Sequence, residues 1–305
     1  MVNARLVYVL ETNNMISSWQ SGFRRGRSTI DNILALETNI RNAFLRQNHL
    51  VCIFFDIEKA YDKTWRYGIL HDLFNLNLRG NLPIFIKKFL SLRRFQIRIG
   101  SVLSDIFLQE EGVPQGSVLS VTLFSLKING ILNQLPIAVK GSLYVDDLQI
   151  SYQGKDMLFI ERLLQIAINH ITSWTNKSGF NFSADKTSCV HFCRLRGIHP
   201  DPEVFINHRQ ISVVDTSHFL GVTFDKKLTF IPHILSLRKK YDKTLNILKV
   251  LSNTMWGADR TSMLKIIRSL IRLKLDYACQ VYGSTCNTYL KKLDTVHYTG
   301  LRIIA

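Results

Sequence analysis

The chain has 305 residues, 46% of them hydrophobic and 20% charged, a balance that excludes a disordered or fibrous protein. Lys and Arg outnumber Asp and Glu by 39 to 23, giving a formal charge of +16 and a pI near 9.8, so a polyanionic partner, nucleic acid above all, is expected. No apolar run reaches the roughly 18 residues of a spanning helix, and the apolar stretch in MVNARLVYVLETNN is too short for a signal peptide.

In chain order, SGFRRGRST (21–29) packs three arginines around two glycines, a composition suited to gripping phosphate and equally to a solvated basic loop. LVCIFFDI (50–57) is apolar on both faces and reads as a central buried strand, with Asp56 at its end where side chains are handed to a cleft. LPIFIKKFLSLRR (82–94) has helical spacing and FQIRIG (95–100) alternates like a strand. In EEGVPQGSVLS, Pro114 stands between Gly112 and Gly116 in a turn that runs into a helix over 117–135, with Ser117 as its cap.

KGSLYVDDLQISY (140–152) sets Asp146 and Asp147 side by side in an apolar hairpin. Burying such a pair is costly without a compensating cation. Neighbouring strand residues point to opposite faces unless a turn intervenes, so the two acids are not expected to serve one site equally. One of them with Asp56 makes a carboxylate pair whose repulsion a divalent cation would relieve, and hard oxygen donors suit Mg²⁺. A surface Asp-Asp turn is the alternative.

The apolar residues from Met157 to Trp174 recur at helical spacing, and Gly179 closes that helix. GFNFSADKTSCVHF places Lys186 before a strand, and further strands are expected near 187–194, 204–213 and 218–224. From about 232 onward the chain reads as basic amphipathic helices, a separate lobe. Five scattered cysteines without CxxC pairs fit a reducing compartment. Cys189, His191 and Cys193 share a strand face, but three ligands on one face rarely converge on one ion, so an ordinary strand is expected there. Both ends run into helical patterns, so the chain is expected to be part of something longer.

Taken in order, QSGFRRGRSTIDNI, FFDIEKAYDKTW, EGVPQGSVLSVTLF, YVDDLQIS, GFNFSADKT and HFLGVTFDKKLTF resemble the reverse transcriptase of non-LTR (LINE-type) retrotransposons of the jockey and I-element kind. The resemblance covers about residues 20 to 305. It implies an α+β right-hand polymerase fold with partial fingers, a palm with an antiparallel sheet and a helical thumb. The implied divisions are fingers over 1–49, palm over 50–66, an insertion over 67–104, palm with the YVDD hairpin and primer grip over 105–230, and thumb over 231–305.

The resemblance also implies site residues. Two Mg²⁺ ions would be held by Asp56, the Ile57 carbonyl, Asp146 and, less directly, Asp147. Tyr61 matches the aromatic gate under the incoming sugar, and Gln115 with Gly116 the turn that touches the nucleotide. Arg24 and Arg27 resemble triphosphate contacts, Lys186 the lysine that protonates pyrophosphate, and Phe219, Leu220 and Gly221 the primer grip. Val145 stands where relatives often carry Ala, and Val121 where a proline usually follows GSVLS. The implied partners are an RNA template, a DNA primer and dNTPs, with no membrane. An endonuclease and other domains are expected on further parts of the same polyprotein, which would work in the nucleus after cytoplasmic assembly. The alternatives are an inert remnant or a non-catalytic nucleic-acid binder that keeps the fold, and, nearer, a group II intron maturase or retron enzyme.

Overall fold

The computed structural model describes residues 1–252 and 256–304. Helices α1 (Val2–Thr12) and α2 (Thr29–Leu45) precede β1 (His49–Phe55), every residue of which is buried. Burial on both faces is why this run is apolar without alternation. Helices α3 (Arg66–Asn75) and α4 (Asn81–Leu90) lead to four two-residue strands, β2 (Arg94–Phe95), β3 (Arg98–Ile99), β4 (Val102–Leu103) and β5 (Phe107–Leu108). They pair as β2 with β5 and β3 with β4, all exposed. The helix expected over 82–94 thus stops at Leu90, and FQIRIG is divided between two ribbons because neither face has a core to lie on.

Helix α5 (Val118–Asn129) follows Ser117, whose side chain makes no capping bond, and a single 3₁₀ turn over Leu132–Gln134 replaces the end of the expected helix. The hairpin strands β6 (Lys140–Tyr144) and β7 (Asp147–Gly154) come next, then α6 (Met157–Ser178). Asp156 caps α6 by accepting the Leu158 N–H, and Gly179 ends it at φ +79°. Beyond β8 (Ser188–Phe192), the segment expected as one strand over 204–213 is cut into β9 (Phe205–Ile206), β10 (Arg209–Gln210) and β11 (Ser212–Val213). The cut falls at Asn207 and His208, both at positive φ, which turn the chain back on itself. Strands β12 (Thr216–Phe219) and β13 (Val222–Asp225) form a last hairpin, followed by α7 (Ile231–Leu251), α8 (Arg260–Ile267), α9 (Leu273–Asp276), α10 (Cys279–Tyr282) and α11 (Asn287–Ile304).

The main sheet has the order β11-β8-β1-β7-β6. Strands β6 and β7 are antiparallel while β11 runs parallel to β8, so the sheet is mixed and not wholly antiparallel as expected. The chain divides into two compact units. The first gathers Met1–Asn32, Val51–Cys189 and Pro200–Val213. Its core joins Val51, Ile53 and Phe55 of β1 to Leu123, Phe124 and Ile128 of α5 and to the stripe Ile160, Leu164, Ile168 and Ile171 of α6. The second gathers Ile33–Leu50, Val190–His199 and Val214–Ala305, with a core of Tyr241, Leu245 and Leu248 against Met263, Ile267, Ile271 and Val296. The helical lobe expected over 231–305 falls in this unit, and residues 253–255 and 305 of it lie outside the described residues.

One charge is buried in the first core. Lys127 of α5 places Nζ 3.1 Å from Asp72 Oδ2 of α3, and 5.7 and 5.9 Å from the ring centroids of Trp65 and Trp174. Gly68 makes the room, since a Cβ there would stand 2.8 Å from that ammonium. The pair and the two rings together compensate a charge that burial alone would expel. Lys127→Ala is therefore expected to lower unfolding stability by about 3 kcal/mol in a urea titration, and an unchanged midpoint would mean the pair contributes nothing.

Candidate active site

Asp56 follows directly on β1, and two backbone bonds fix it. The Ser183 N–H donates to its carbonyl at 2.8 Å, and the Glu58 N–H donates to the Asn181 carbonyl at 2.9 Å. Ile57, between them, faces Phe182 as an isolated antiparallel bridge. It is therefore a non-hydrogen-bonded pair, in which the N–H and C=O point away from the partner strand. The Ile57 carbonyl is left facing the opposite side from residues 181–183.

The second and third carboxylates come from the β6–β7 hairpin. Tyr144 pairs with Asp147, so Val145 and Asp146 form a two-residue turn. Val145 has φ +63°, a left-handed conformation that costs a β-branched residue energy and usually takes glycine. The strain is held from outside: Ser21 N–H donates to the Leu143 carbonyl at 3.0 Å and Leu143 N–H to the Trp19 carbonyl at 3.0 Å. Gly22 then passes so close to the turn that a Cβ would lie 2.6 Å from the Val145 nitrogen. The first glycine of SGFRRGRST thus serves the YVDD turn.

Because a turn intervenes, Asp146 and Asp147 do not diverge as they would within a strand. Burial pushes the Asp146 carboxyl above the usual range, with the Asp56 charge adding to it. Burial, then Asp146, then Asp56 raise Asp147 to about 6, although its outer edge stays exposed. All three acids therefore feel one another. Lys186, itself 72% exposed, is the only cation paired with them among the described residues, 3.6 Å from Asp56 Oδ2. Three crowded oxygen donors with one peripheral cation fit a hard divalent ion.

Tyr61 lies near Asp146, whose charge adds to burial in raising the phenol to about 12. Its ring stacks on Phe124 with centroids 4.3 Å apart, and its carbonyl accepts the Val113 N–H at 3.0 Å. The loop bearing Gln115 is clamped to this turn. Arg66 donates to the carbonyls of Gln109, Glu111 and Gly112 at 2.6, 2.9 and 2.7 Å, and Gln115 Nε2 donates to Asp62 Oδ1 at 2.8 Å. Gly112 at φ +76° lies where a Cβ would meet the Asp62 carbonyl at 2.6 Å. Gly116 is exposed at φ +86°.

The two arginines differ. Arg24 is held by Glu11 at 2.8 and 2.6 Å and donates to the Ser17 and Gln20 carbonyls at 2.7 and 2.9 Å, so its guanidinium is committed to holding the chain together. Arg27 is exposed. In the second unit, Leu220 and Gly221 at φ +46° and +87° form the β12–β13 turn beside buried Phe219. The Tyr277 hydroxyl donates to the Leu220 carbonyl at 2.7 Å. Sequence reasoning missed Glu11, Gly22, Arg66 and Tyr277. Each acts on backbone or on a charge distant in sequence, and no local spacing signals such a partner.

Residues 1–224 match the family model described as reverse transcriptase (RNA-dependent DNA polymerase). The chain is similar to the RNA-directed DNA polymerase from mobile element jockey of Drosophila melanogaster, 27% identical over 307 residues that cover 99% of this chain and 33% of that protein. It is also similar to the probable RNA-directed DNA polymerase from transposon X-element of the same fly, 23% identical over 312 residues covering 100% and 34%. The chain thus spans about a third of the length of these curated relatives. Among solved structures, apo telomerase from Candida tropicalis superposes with a TM-score of 0.50 at 12% identity, covering 99% of this chain and 54% of that one. That likeness shows the fold, a right-hand polymerase of mixed helix and sheet.

The raised carboxyls have a consequence for stability. Asp147, at about 6, lies above the ordinary Asp value, so between about pH 4 and 6 the folded chain holds more protons than the unfolded one. Stability is then greatest below that window and falls as pH rises through it, Asp146 adding in the same direction. In chelator, thermal midpoints measured from pH 4 to 7 are expected to decline less in Asp147→Asn than in the parent chain, and parallel profiles would contradict the crowding.

Proposed function

The chain belongs to the reverse transcriptase (RNA-dependent DNA polymerase) family, and from that premise we propose that it copies RNA into DNA for a non-LTR retrotransposon. The reaction is attack of a primer 3′-hydroxyl on the α-phosphorus of a dNTP, forming one phosphodiester bond and releasing pyrophosphate. The observation that supports it most is the convergence of Asp56 with Asp146 and Asp147 at the ends of neighbouring strands β1 and β7. Two Mg²⁺ ions on Asp56, the Ile57 carbonyl and Asp146, with Asp147 in support, would supply the positive charge that activates the hydroxyl and stabilises the leaving group.

The chain's own residues position the rest. Tyr61, locked on Phe124, is a rigid wall beside Asp146 suited to exclude a 2′-hydroxyl. Gln115 and Gly116, on a loop held by Arg66, face the incoming nucleotide. Lys186, beside Asp56 and largely in solvent, is placed to give a proton to pyrophosphate. Arg27 takes the triphosphate role, and Arg24 supports the segment that carries it. Phe219, Leu220 and Gly221 hold the primer, on a turn stiffened by Tyr277.

In this reading, fingers occupy 1–49, palm 50–66 and 105–230, an insertion 67–104 and thumb 231–305. The charge of +16 draws the template and primer backbones. The relatives are about three times as long, which leaves room in the same polyprotein for the endonuclease and other domains proposed with it; nuclear work at the DNA it copies into is part of the same proposal.

Primer extension on poly-A with oligo-dT and Mg²⁺ tests this function. Asp146→Ala and Asp56→Ala are each expected to lower incorporation by roughly 10³-fold or more, the loss of several kcal/mol of charge stabilisation. Incorporation that survives Asp146→Ala, or an inactive parent chain that still binds RNA, would overturn it. The two arginines separate by readout. Arg27→Ala should raise the KM for dNTP with an unchanged melting point, whereas Arg24→Ala should lower the melting point, having lost a bidentate ion pair.

A further inference from the structure

A second cluster of metal-ligating side chains lies in the second unit and takes no part in the chemistry above. His49 opens β1, His191 lies near the end of β8, and Cys193 follows two residues later on the same face. Their donor atoms all lie within 4.8 Å of one another, and His49 Nδ1 is 2.9 Å from His191 Nε2. His199 stands beside the group, its ring edge-on to His49 with centroids 4.8 Å apart. Both His49 and His191 are buried and Cys193 half-buried.

We propose that His49, His191 and Cys193, completed by His199, form a Zn²⁺ site. A tetrahedral Zn²⁺ with bonds of about 2.0–2.1 Å to nitrogen and 2.3 Å to sulfur needs donors roughly 3.3–3.7 Å apart, so the present spacing needs only small side-chain adjustments. The donors are borderline imidazoles and a soft thiolate, which suit zinc and not the Mg²⁺ suited to carboxylates.

Protonation agrees. Two ring nitrogens at hydrogen-bond distance cannot both carry protons, so one presents a lone pair to the other. Burial and the neighbouring His191 and His199 hold His49 below the usual imidazole range, in the neutral form a metal requires. His199 Nε2 is 3.2 Å from the Arg196 carbonyl, which only accepts, so Nε2 carries a proton and Nδ1 is the ring nitrogen left to ligate. A ligating histidine commonly donates its other N–H to a carbonyl in this way.

The strand end that carries Cys193 is already pinned. The Cys193 N–H donates to the Lys226 carbonyl at 3.3 Å, and Arg194 donates to the Lys227 carbonyl at 2.9 and 2.6 Å. Ordered backbone of this kind presents ligands without a large folding cost on binding. Three ligands on a single strand would not have converged. The site forms because the strand gives only two, and β1 and the loop after β8 give the others.

Cobalt titration of the chelator-treated 305-residue chain tests the site. The expected result is one equivalent of Co²⁺ bound with tetrahedral d–d absorption and a thiolate charge-transfer band, displaced by Zn²⁺. The charge-transfer band should vanish in Cys193→Ser and in His191→Gln and persist in Asp146→Asn, while His199→Gln should weaken binding by about tenfold or more. Absence of the band in the parent chain, or its survival in Cys193→Ser, would overturn the site. Unweakened binding by His199→Gln would overturn the fourth ligand. A measurement on the parent chain alone avoids any folding defect of the variants: Zn²⁺ should slow alkylation of Cys193, located by peptide mapping, by about tenfold or more at saturation and leave the exposed Cys279 and Cys286 unaffected. Equal alkylation of all three with and without Zn²⁺ would also overturn it.

Discussion

Asp56, Asp146 and Asp147 repel one another across the ends of two strands that the core does not let move apart. Strand β1 is buried along its whole length, and β7 lies beside it in the sheet. Among the described residues only Lys186 answers the three charges, and it stands mostly in water. The protein thus spends part of its folding energy on holding three carboxylates close enough to feel one another. Such a constraint is useful where positive charge is to come from outside, with a metal and a nucleotide.

Much of the surrounding structure consists of braces on that arrangement. Val145 accepts an unfavourable backbone angle so that the hairpin turns tightly enough to bring both acids round, and Gly22 leaves room for it. Arg66 gathers three loop carbonyls, and Gln115 is tied to Asp62. Tyr61 is stacked and bonded before any ligand arrives. Most of these contacts end on backbone carbonyls or rigid rings, so the loops and the Tyr61 ring beside the acids are held in place.

The His49, His191 and Cys193 cluster follows a different chemistry. Its donors are nitrogen and sulfur and mostly buried, whereas the carboxylates offer hard oxygen and are only partly buried. The two sets would sort metals by ligand type with no competition between them.

The strand of Asp56, the YVDD hairpin, the 157–178 helix with its Gly179 stop and the basic helices of the last third were all legible in the sequence. Their signals are local: apolar runs, a 3.6-residue stripe, a turn residue. Legible too was the family, through six ordered motifs. Local signals failed where a segment lacked a face to bury, as in FQIRIG, and where positive-φ residues cut a strand, as at Asn207 and His208. By itself the sequence determined which residues carry charge and chemistry, because those are properties of side chains and their spacing. Only the tertiary structure decided that Asp146 and Asp147 both feel the charge of Asp56, that Arg24 is held by Glu11, and that His49 meets His191 across 142 positions of sequence. Such meetings depend on which strands become neighbours, and that is set by burial summed over the whole core, with no trace in any local run of residues.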